Sequence, residues 1–163
     1  MTTKILSFQM QEQKAQNWCW AAVAVSTARF YDPGFAVSQC QLATAQLGQP
    51  AGSCCQQPVP RSCDKRSTLQ DALARVGHLL GTAGGPGAFS EAVDQIDADR
   101  PMPVRIEWSD SNGHFVVVSG YESGGEFVTV HDPRDGGPST VQFDELIRNY
   151  EGAGVVTDRF FTR

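Results

Sequence analysis

The spacing of apolar residues changes at Pro101, and this change limits the folds available to the chain. Before Pro101 apolar residues recur mostly at helical spacing. After it they alternate with polar residues or form short β-branched runs, which is typical of strands. Helices grouped before strands indicate an α+β fold rather than repeated βαβ units. We therefore predict a helical N-terminal part and a C-terminal, mostly antiparallel sheet.

Four helices are predicted in the N-terminal part. The longest covers residues 18–31, with Asn17 as its N-cap, and Pro33 lies just beyond its end. Because this helix is apolar on nearly every side, it should be central and buried. Shorter helices are predicted after Ser38, after Ser67 or Thr68, and after Ser90, with a glycine-rich loop at 81–87.

Five strands and one short helix are predicted after Pro101. The run 114–121 is β-branched and apolar, as expected of a central strand. Turn residues separate the segments, so neighbouring strands should pair as hairpins. The predicted strands are 104–108, 114–121, 126–131, 140–142 and 155–161, and the helix is 143–150.

The length and charge of the chain exclude several classes of protein. Its 163 residues suit one domain, 1–163, with a single substantial core. The net charge of −5 argues against binding a nucleic-acid backbone. No apolar run reaches the roughly 18–20 residues of a membrane span, and no secretory signal is recognisable at the start. We expect a monomer without cofactor.

Cys19 lies in the first turn of the longest predicted helix, within the sequence QNWCWAA. Unpaired backbone N–H groups and the helix dipole stabilise a thiolate at this position, and the thiolate is the nucleophilic form of cysteine. We predict that Cys19 is a catalytic nucleophile. The alternative is a buried thiol of the core.

A cysteine nucleophile requires a base, and the base requires a group that orients it. His114 opens the central strand, and Asp132 follows the next predicted strand. If these strands pair, Asp132 can accept the second imidazole N–H of His114 and fix its tautomer. Asp110 is the competing acid, and His131 and His78 are interpreted as structural.

Acyl transfer also requires hydrogen-bond donors for the developing oxyanion. The backbone N–H of Cys19 is one candidate, and the side-chain amide of Gln13 is the other. Gln11 and Gln16 compete with Gln13, and only spacing separates the three. Loss of one such donor typically raises the barrier by about 2.7–4 kcal/mol.

Four other cysteines cluster in one region: Cys40, Cys54, Cys55 and Cys63. A bridge between the adjacent Cys54 and Cys55 would be strained. Two pairings remain open: Cys40 with Cys54 and Cys55 with Cys63, or Cys40 with Cys55 and Cys54 with Cys63. Disulfides are favoured over free thiols and over a zinc site, for which adjacent ligands are poorly spaced, so we predict no metal.

The blocks around Cys19, His114 and Asp132 resemble papain-like cysteine peptidases. The clan's pattern around the nucleophile is a glutamine, five residues and then a cysteine followed by tryptophan, as in Gln13 to Trp20 here. The segment GHFVVVSGY resembles the strand that carries the clan's histidine, and VTVHDP resembles the strand that carries its acid. The resemblance covers about residues 5–161. It is strongest to small bacterial members, such as leader-peptide peptidase domains of bacteriocin exporters and plant-pathogen effector proteases, which use Asp where papain uses Asn.

The resemblance implies a papain-like fold, in which a central nucleophile helix packs on the sheet. It also implies a cysteine endopeptidase: Cys19 attacks the carbonyl, His114 transfers the proton, Asp132 orients His114, and Gln13 and Cys19 bind the oxyanion. A protein or peptide substrate, a bacterial effector or toxin role, and a cognate immunity or inhibitor protein are further expectations.

Two other hypotheses stay open. The same triad could deamidate glutamine, transfer an acyl group or cleave peptidoglycan amides, because the acceptor and the cleft decide the reaction. The second hypothesis is that the protein is a catalytically silent binding module with the same fold. The sequence also departs from the papain pattern after the acid, where Pro133 and Arg134 replace the usual tryptophan, so it does not identify what shields the histidine.

Disulfides would place the protein in an oxidising compartment. Since no signal peptide is recognisable, we expect one of two things. Either the protein is exported from the producing cell's cytoplasm without a conventional signal peptide, as a secretion-system effector is, or this chain is part of a longer one.

Overall fold

The computed structural model describes all 163 residues and confirms the predicted α+β arrangement. None of the helices is long and apolar enough to cross a membrane. The helices are α1 (Cys19–Tyr31), α2 (Gln39–Gln46), α3 (Leu69–Arg75), α4 (Phe89–Asp97) and α5 (Phe143–Asn149). The strands are β1 (Thr3–Ile5), β2 (Leu79–Gly84), β3 (Met102–Glu107), β4 (Gly113–Glu122), β5 (Phe127–His131), β6 (Pro138–Gln142) and β7 (Val155–Thr162).

All seven strands join one antiparallel sheet, in the order β2-β7-β3-β4-β5-β6, with β1 paired to β4. Strand β4 is buried on both faces, as its apolar run predicts. Phe115 and Val117 pack with the N-terminal helices, whereas Val116 and Val118 pack with α4 and α5. Side-chain alternation along β4 therefore places one hydrophobic core on each face of the sheet.

Helix α1 is the buried helix that the sequence predicted. Ten of its residues are buried, and its first turn lies against the loop before α3. The indole N–H of Trp18 donates to the Cys63 carbonyl at 2.7 Å, and that of Trp20 donates to the Lys65 carbonyl at 3.0 Å. Asn17 lies one residue before the N-cap, Trp18, and its backbone N–H donates to the Asp64 carboxylate. This loop therefore holds the start of α1 in place.

The cysteine cluster forms two disulfides, Cys40 with Cys55 and Cys54 with Cys63. This is one of the two pairings that the sequence left open. Cys54 and Cys63 are fully buried among the residues packed on α1. The Cys54–Cys63 bridge thus anchors the same loop that receives the Trp18 indole.

Three local predictions were wrong. The N-cap of α1 is Trp18 and not Asn17, whose side-chain amide donates to the Asp64 carbonyl instead. The glycine-rich segment begins as strand β2, which pairs with β7, because pairing with a neighbouring strand overrides the weak strand preference of glycine. Helix α4 begins at Phe89 with Ala88 as its N-cap, so Ser90 lies inside the helix. The short strand β1 was not predicted, and it is stabilised by pairing with β4.

Candidate active site

Cys19 is the first residue of α1 and the only free cysteine of the chain. Its neighbours Trp18 and Trp20 are completely buried, while Cys19 itself retains 8% exposure. Its backbone N–H makes no hydrogen bond within the protein. The structure therefore places a nearly buried thiol and an unpaired N–H together at a helix N-terminus, where negative charge is stabilised.

His114 and Asp132 form a buried hydrogen-bonded pair. Strands β4 and β5 are antiparallel, so the start of β4 lies beside the end of β5. His114 Nε2 is 2.8 Å from Asp132 Oδ1, and each residue is only 6% exposed. Cys19 lines the same cavity as His114, and because Asp132 holds Nε2, Nδ1 is the ring nitrogen left available to Cys19. The three residues predicted from the sequence thus lie together.

Electrostatics favour the charged form of both members of the pair. Burial lowers the pKa of His114, but the hydrogen bonds and charges of Asp132 and Cys19 outweigh burial and raise it to about 9. Burial raises the pKa of Asp132, but hydrogen bonds from His114 and Arg134 hold it well below its usual range. These contacts therefore favour the imidazolium form of His114 beside Cys19.

Asp132 has further partners that the sequence did not reveal. The Tyr150 hydroxyl donates to Asp132 Oδ2 at 2.9 Å, and the Arg134 Nη2 donates to the same oxygen at 2.9 Å. The Arg134 backbone N–H donates to Oδ1, also at 2.9 Å. Burial and the Asp132 charge raise the pKa of Tyr150. Tyr150 follows α5, so only the fold brings it to Asp132, and no sequence signal could have identified it.

Trp108 shields the His114–Asp132 pair. Its ring lies almost parallel to the His114 ring, with centroids 6.0 Å apart and planes inclined by 26°. The Arg134 guanidinium covers Trp108 at 5.4 Å, and the Tyr150 ring lies 6.1 Å away. The tryptophan missing after Asp132 is therefore replaced by one that follows β3.

Gln13 lines a cavity of about 180 Å³ together with Cys19 and His114. Its amide nitrogen donates to the carbonyls of Ala15 at 3.1 Å and Gln16 at 2.7 Å. Its Oε1 is buried without a hydrogen-bond partner. Binding of an oxyanion by Gln13 therefore requires one amide N–H to turn away from a backbone carbonyl.

The competing residues make other contacts, although Asp110 also lines the cavity that contains Cys19 and His114. The Asp110 carboxylate is exposed and accepts from Asn112, not from His114. Gln11 accepts from Gln39 and does not line the cavity that contains Cys19 and His114. The His131 ring packs edge-on against Phe8, and His78 stacks on Tyr31. Gln16 does line the cavity beside Gln13, so position alone does not separate these two glutamines.

Replacement of Asp132 by Asn tests the origin of the His114 pKa. In the native protein we expect His114 to hold its proton at neutral pH and to lose it as the pH rises through about 9. Asn carries no charge, so in Asp132→Asn the His114 pKa should fall by at least about one unit toward 6.5. Histidine-detected NMR titration measures both values. His131 is the internal control, because burial lowers its pKa in either protein. An unchanged His114 pKa in the variant would contradict this account.

Comparison with known proteins identifies the family of this chain. The model of a family described as "Peptidase_C39 like family" matches residues 5–157, which include Gln13, Cys19, His114 and Asp132. Among solved structures, the crystal structure of the Pseudomonas avirulence protein AvrPphB is similar over 97% of each chain, at 14% identity and a TM-score of 0.41. No curated protein matches the chain.

Proposed function

Because this chain belongs to the Peptidase_C39 like family, we propose that it is a cysteine endopeptidase with Cys19, His114 and Asp132 as its catalytic triad. The observation that carries the proposal is the buried 2.8 Å hydrogen bond between His114 and Asp132 beside the free thiol at the start of α1. An activated nucleophile requires this arrangement, in which a base lies beside the nucleophile and an acid orients the base.

The proposed reaction proceeds through a thioester. Transfer of the Cys19 proton to His114 Nδ1 forms a thiolate–imidazolium pair, and the thiolate attacks the carbonyl carbon of the scissile bond. The His114 imidazolium then donates its proton to the leaving amine. In the second half, His114 removes a proton from water, which hydrolyses the thioester and restores the thiol. Asp132 keeps the ring oriented, while Trp108 limits water access to the pair.

The oxyanion site is proposed to use the Cys19 backbone N–H and the Gln13 amide. Support for the first donor is its lack of any other hydrogen-bond partner. Support for the second is its position on the same cavity as Cys19. The hydrogen bonds from Gln13 to Ala15 and Gln16 would rearrange when substrate binds, since catalytic hydrogen bonds often tighten only in the complex.

We further propose that the protein acts after export, as an effector or toxin that cleaves a protein of another cell. The two disulfides support export, because such bonds persist in oxidising compartments. A specific inhibitor protein in the producing cell would be a consistent partner.

Alkylation at pH 6 tests the proposed nucleophile. An ordinary thiol with a pKa near 8.5 is almost unreactive at this pH. If the His114 imidazolium stabilises the thiolate, iodoacetamide should modify Cys19 at least about tenfold faster than it modifies free cysteine. His114→Gln should remove that advantage, and intact-protein mass spectrometry measures both rates. Equal rates for native Cys19 and free cysteine would contradict the proposal.

Mass spectrometry of candidate substrates separates endopeptidase activity from the other reactions of the triad. Two product chains with a new N-terminus would support peptide-bond cleavage. An intact chain with glutamine converted to glutamate would instead indicate deamidation.

A further inference from the structure

A groove that Trp108 does not line begins at Cys19. Its first cavity, about 270 Å³, is lined by residues that include Cys19, Trp20, Arg66, Arg105 and Gly113. A second cavity of about 250 Å³ shares Ser67, Arg105 and Phe115 with the first. Arg105 thus lines both cavities, and we call this surface the arginine groove.

The Arg105 guanidinium has unused donors. Its Nη1 donates to Thr157 Oγ1 at 2.9 Å, but its Nε and Nη2 make no hydrogen bond. Glu107 is the only carboxylate within 4 Å, at 3.8 Å, and Asp158 lines the second cavity. These two N–H groups form the planar edge that binds a carboxylate with two parallel hydrogen bonds.

Gly113 keeps this edge uncovered. A Cβ atom at position 113 would lie 2.7 Å from Arg105 Nη2 and 2.8 Å from Nε. The φ of Gly113 is not positive, so the backbone alone does not require glycine here. A side chain at this position, directly before His114 in the sequence, would instead have to displace the Arg105 guanidinium.

Arg66 adds a second positive charge to the groove. It donates to Asn112 and, at 3.4 Å, to Asn17. No carboxylate lies within 4 Å of it. Arg66 also lines the His114 cavity together with Asp110, with which it interacts electrostatically. Two arginines therefore flank the nucleophile in a protein whose net charge is −5. This local charge favours an acidic substrate segment.

The position of His114 indicates which part of a substrate enters the groove. His114 must reach the leaving amine, so the leaving segment lies over the cavity that contains His114, Trp108 and Arg134. The acyl segment, which becomes the thioester, then lies on the opposite side of Cys19. Building on the proposed peptidase function, we propose that the arginine groove selects an Asp or Glu side chain within the two residues before the scissile bond.

Paired covalent probes test this selection. Acetylated dipeptidyl vinyl sulfones would carry Glu or Gln at the first or second position before the reactive group, with Gly at the other. We expect the Glu probe to inactivate the native protein about tenfold faster than the Gln probe at one position, since only Glu supplies a carboxylate. In Arg105→Gln the ratio should fall to about 1. The exposed Arg75→Gln on α3 is the matched control and should keep the native ratio.

The results separate this inference from the function on which it rests. Equal rates for the Glu and Gln probes at both positions, on a Cys19 that iodoacetamide alkylates rapidly, would overturn the groove's selectivity and leave the peptidase proposal standing. A native preference that persists in both Arg105→Gln and Arg66→Gln would overturn the role of the arginines. A Cys19 no more reactive than free cysteine would instead contradict the peptidase function.

Discussion

Cys19→Ala is expected to lower peptide-bond cleavage by about 10⁴-fold or more, because alanine cannot form the thioester. The chain should still fold, since residue 19 retains 8% exposure and is the first residue of helix α1. Incubation of a cell lysate with native or variant protein, followed by mass spectrometry of new N-termini, measures the loss across all lysate proteins at once. Cleavage sites that appear equally with both proteins would contradict the assignment.

His114→Gln is the companion variant. Residues that act as one catalytic unit show strongly non-additive losses, so the double variant should be no less active than Cys19→Ala alone. Circular dichroism and the thermal unfolding midpoint show whether each variant keeps its fold. A double variant much less active than either single one would mean that the two residues act separately.

Removal of the Cys54–Cys63 disulfide is expected to have the largest effect on stability. Its cysteines are 9 residues apart, and in the chain-entropy model closing such a loop is worth about 2.6 kcal/mol, a large part of the roughly 5–15 kcal/mol that stabilises a typical domain. The Cys40–Cys55 loop, with a separation of 15, is worth about 3 kcal/mol, so the larger effect expected here rests on the complete burial of Cys54 and Cys63. The double variant Cys54→Ser, Cys63→Ser should lose about 2.6 kcal/mol from the open loop. The two buried hydroxyl groups add to the loss. Urea unfolding of the native and variant proteins measures the difference.

The same variant should impair the site, and the other bridge provides the control. The Cys63 carbonyl accepts the Trp18 indole N–H, and Trp18 directly precedes Cys19. We therefore expect Cys19 alkylation at pH 6 to slow more in Cys54→Ser, Cys63→Ser than in Cys40→Ser, Cys55→Ser. Similar stability of the oxidised and the fully reduced native chain would contradict a stabilising role for either bridge.

Much of the candidate site could be predicted because its signals are local. Cys19 was predicted as the nucleophile because it lies at a helix start, and His114 was predicted as the base because it begins an apolar strand. The sequence left two candidate acids, because Asp110 and Asp132 both lie in turn sequences. Only the antiparallel pairing of β4 and β5 brings Asp132 to His114 and leaves Asp110 with Asn112.

The cysteine pairing shows why other features of the site could not be predicted from the sequence. Cys54 and Cys55 are adjacent, so either can reach Cys40 as far as chain length is concerned. The choice depends on which side chain faces the core. Cys54 is fully buried and pairs with the equally buried Cys63, whereas Cys55 is exposed and pairs with Cys40.

The sequence by itself determined the order of helices and strands, and it predicted a candidate nucleophile, a candidate base and two candidate acids. These follow from periodicity, helix ends and turn residues, which act over a few neighbouring positions. The tertiary structure decided which acid contacts His114, the disulfide pairing, the partners Tyr150 and Arg134, the stacking of Trp108 on His114 and the groove around Arg105. Each of these depends on contacts between residues distant in sequence or on the direction of a side chain, which only packing of the sheet against the helices fixes.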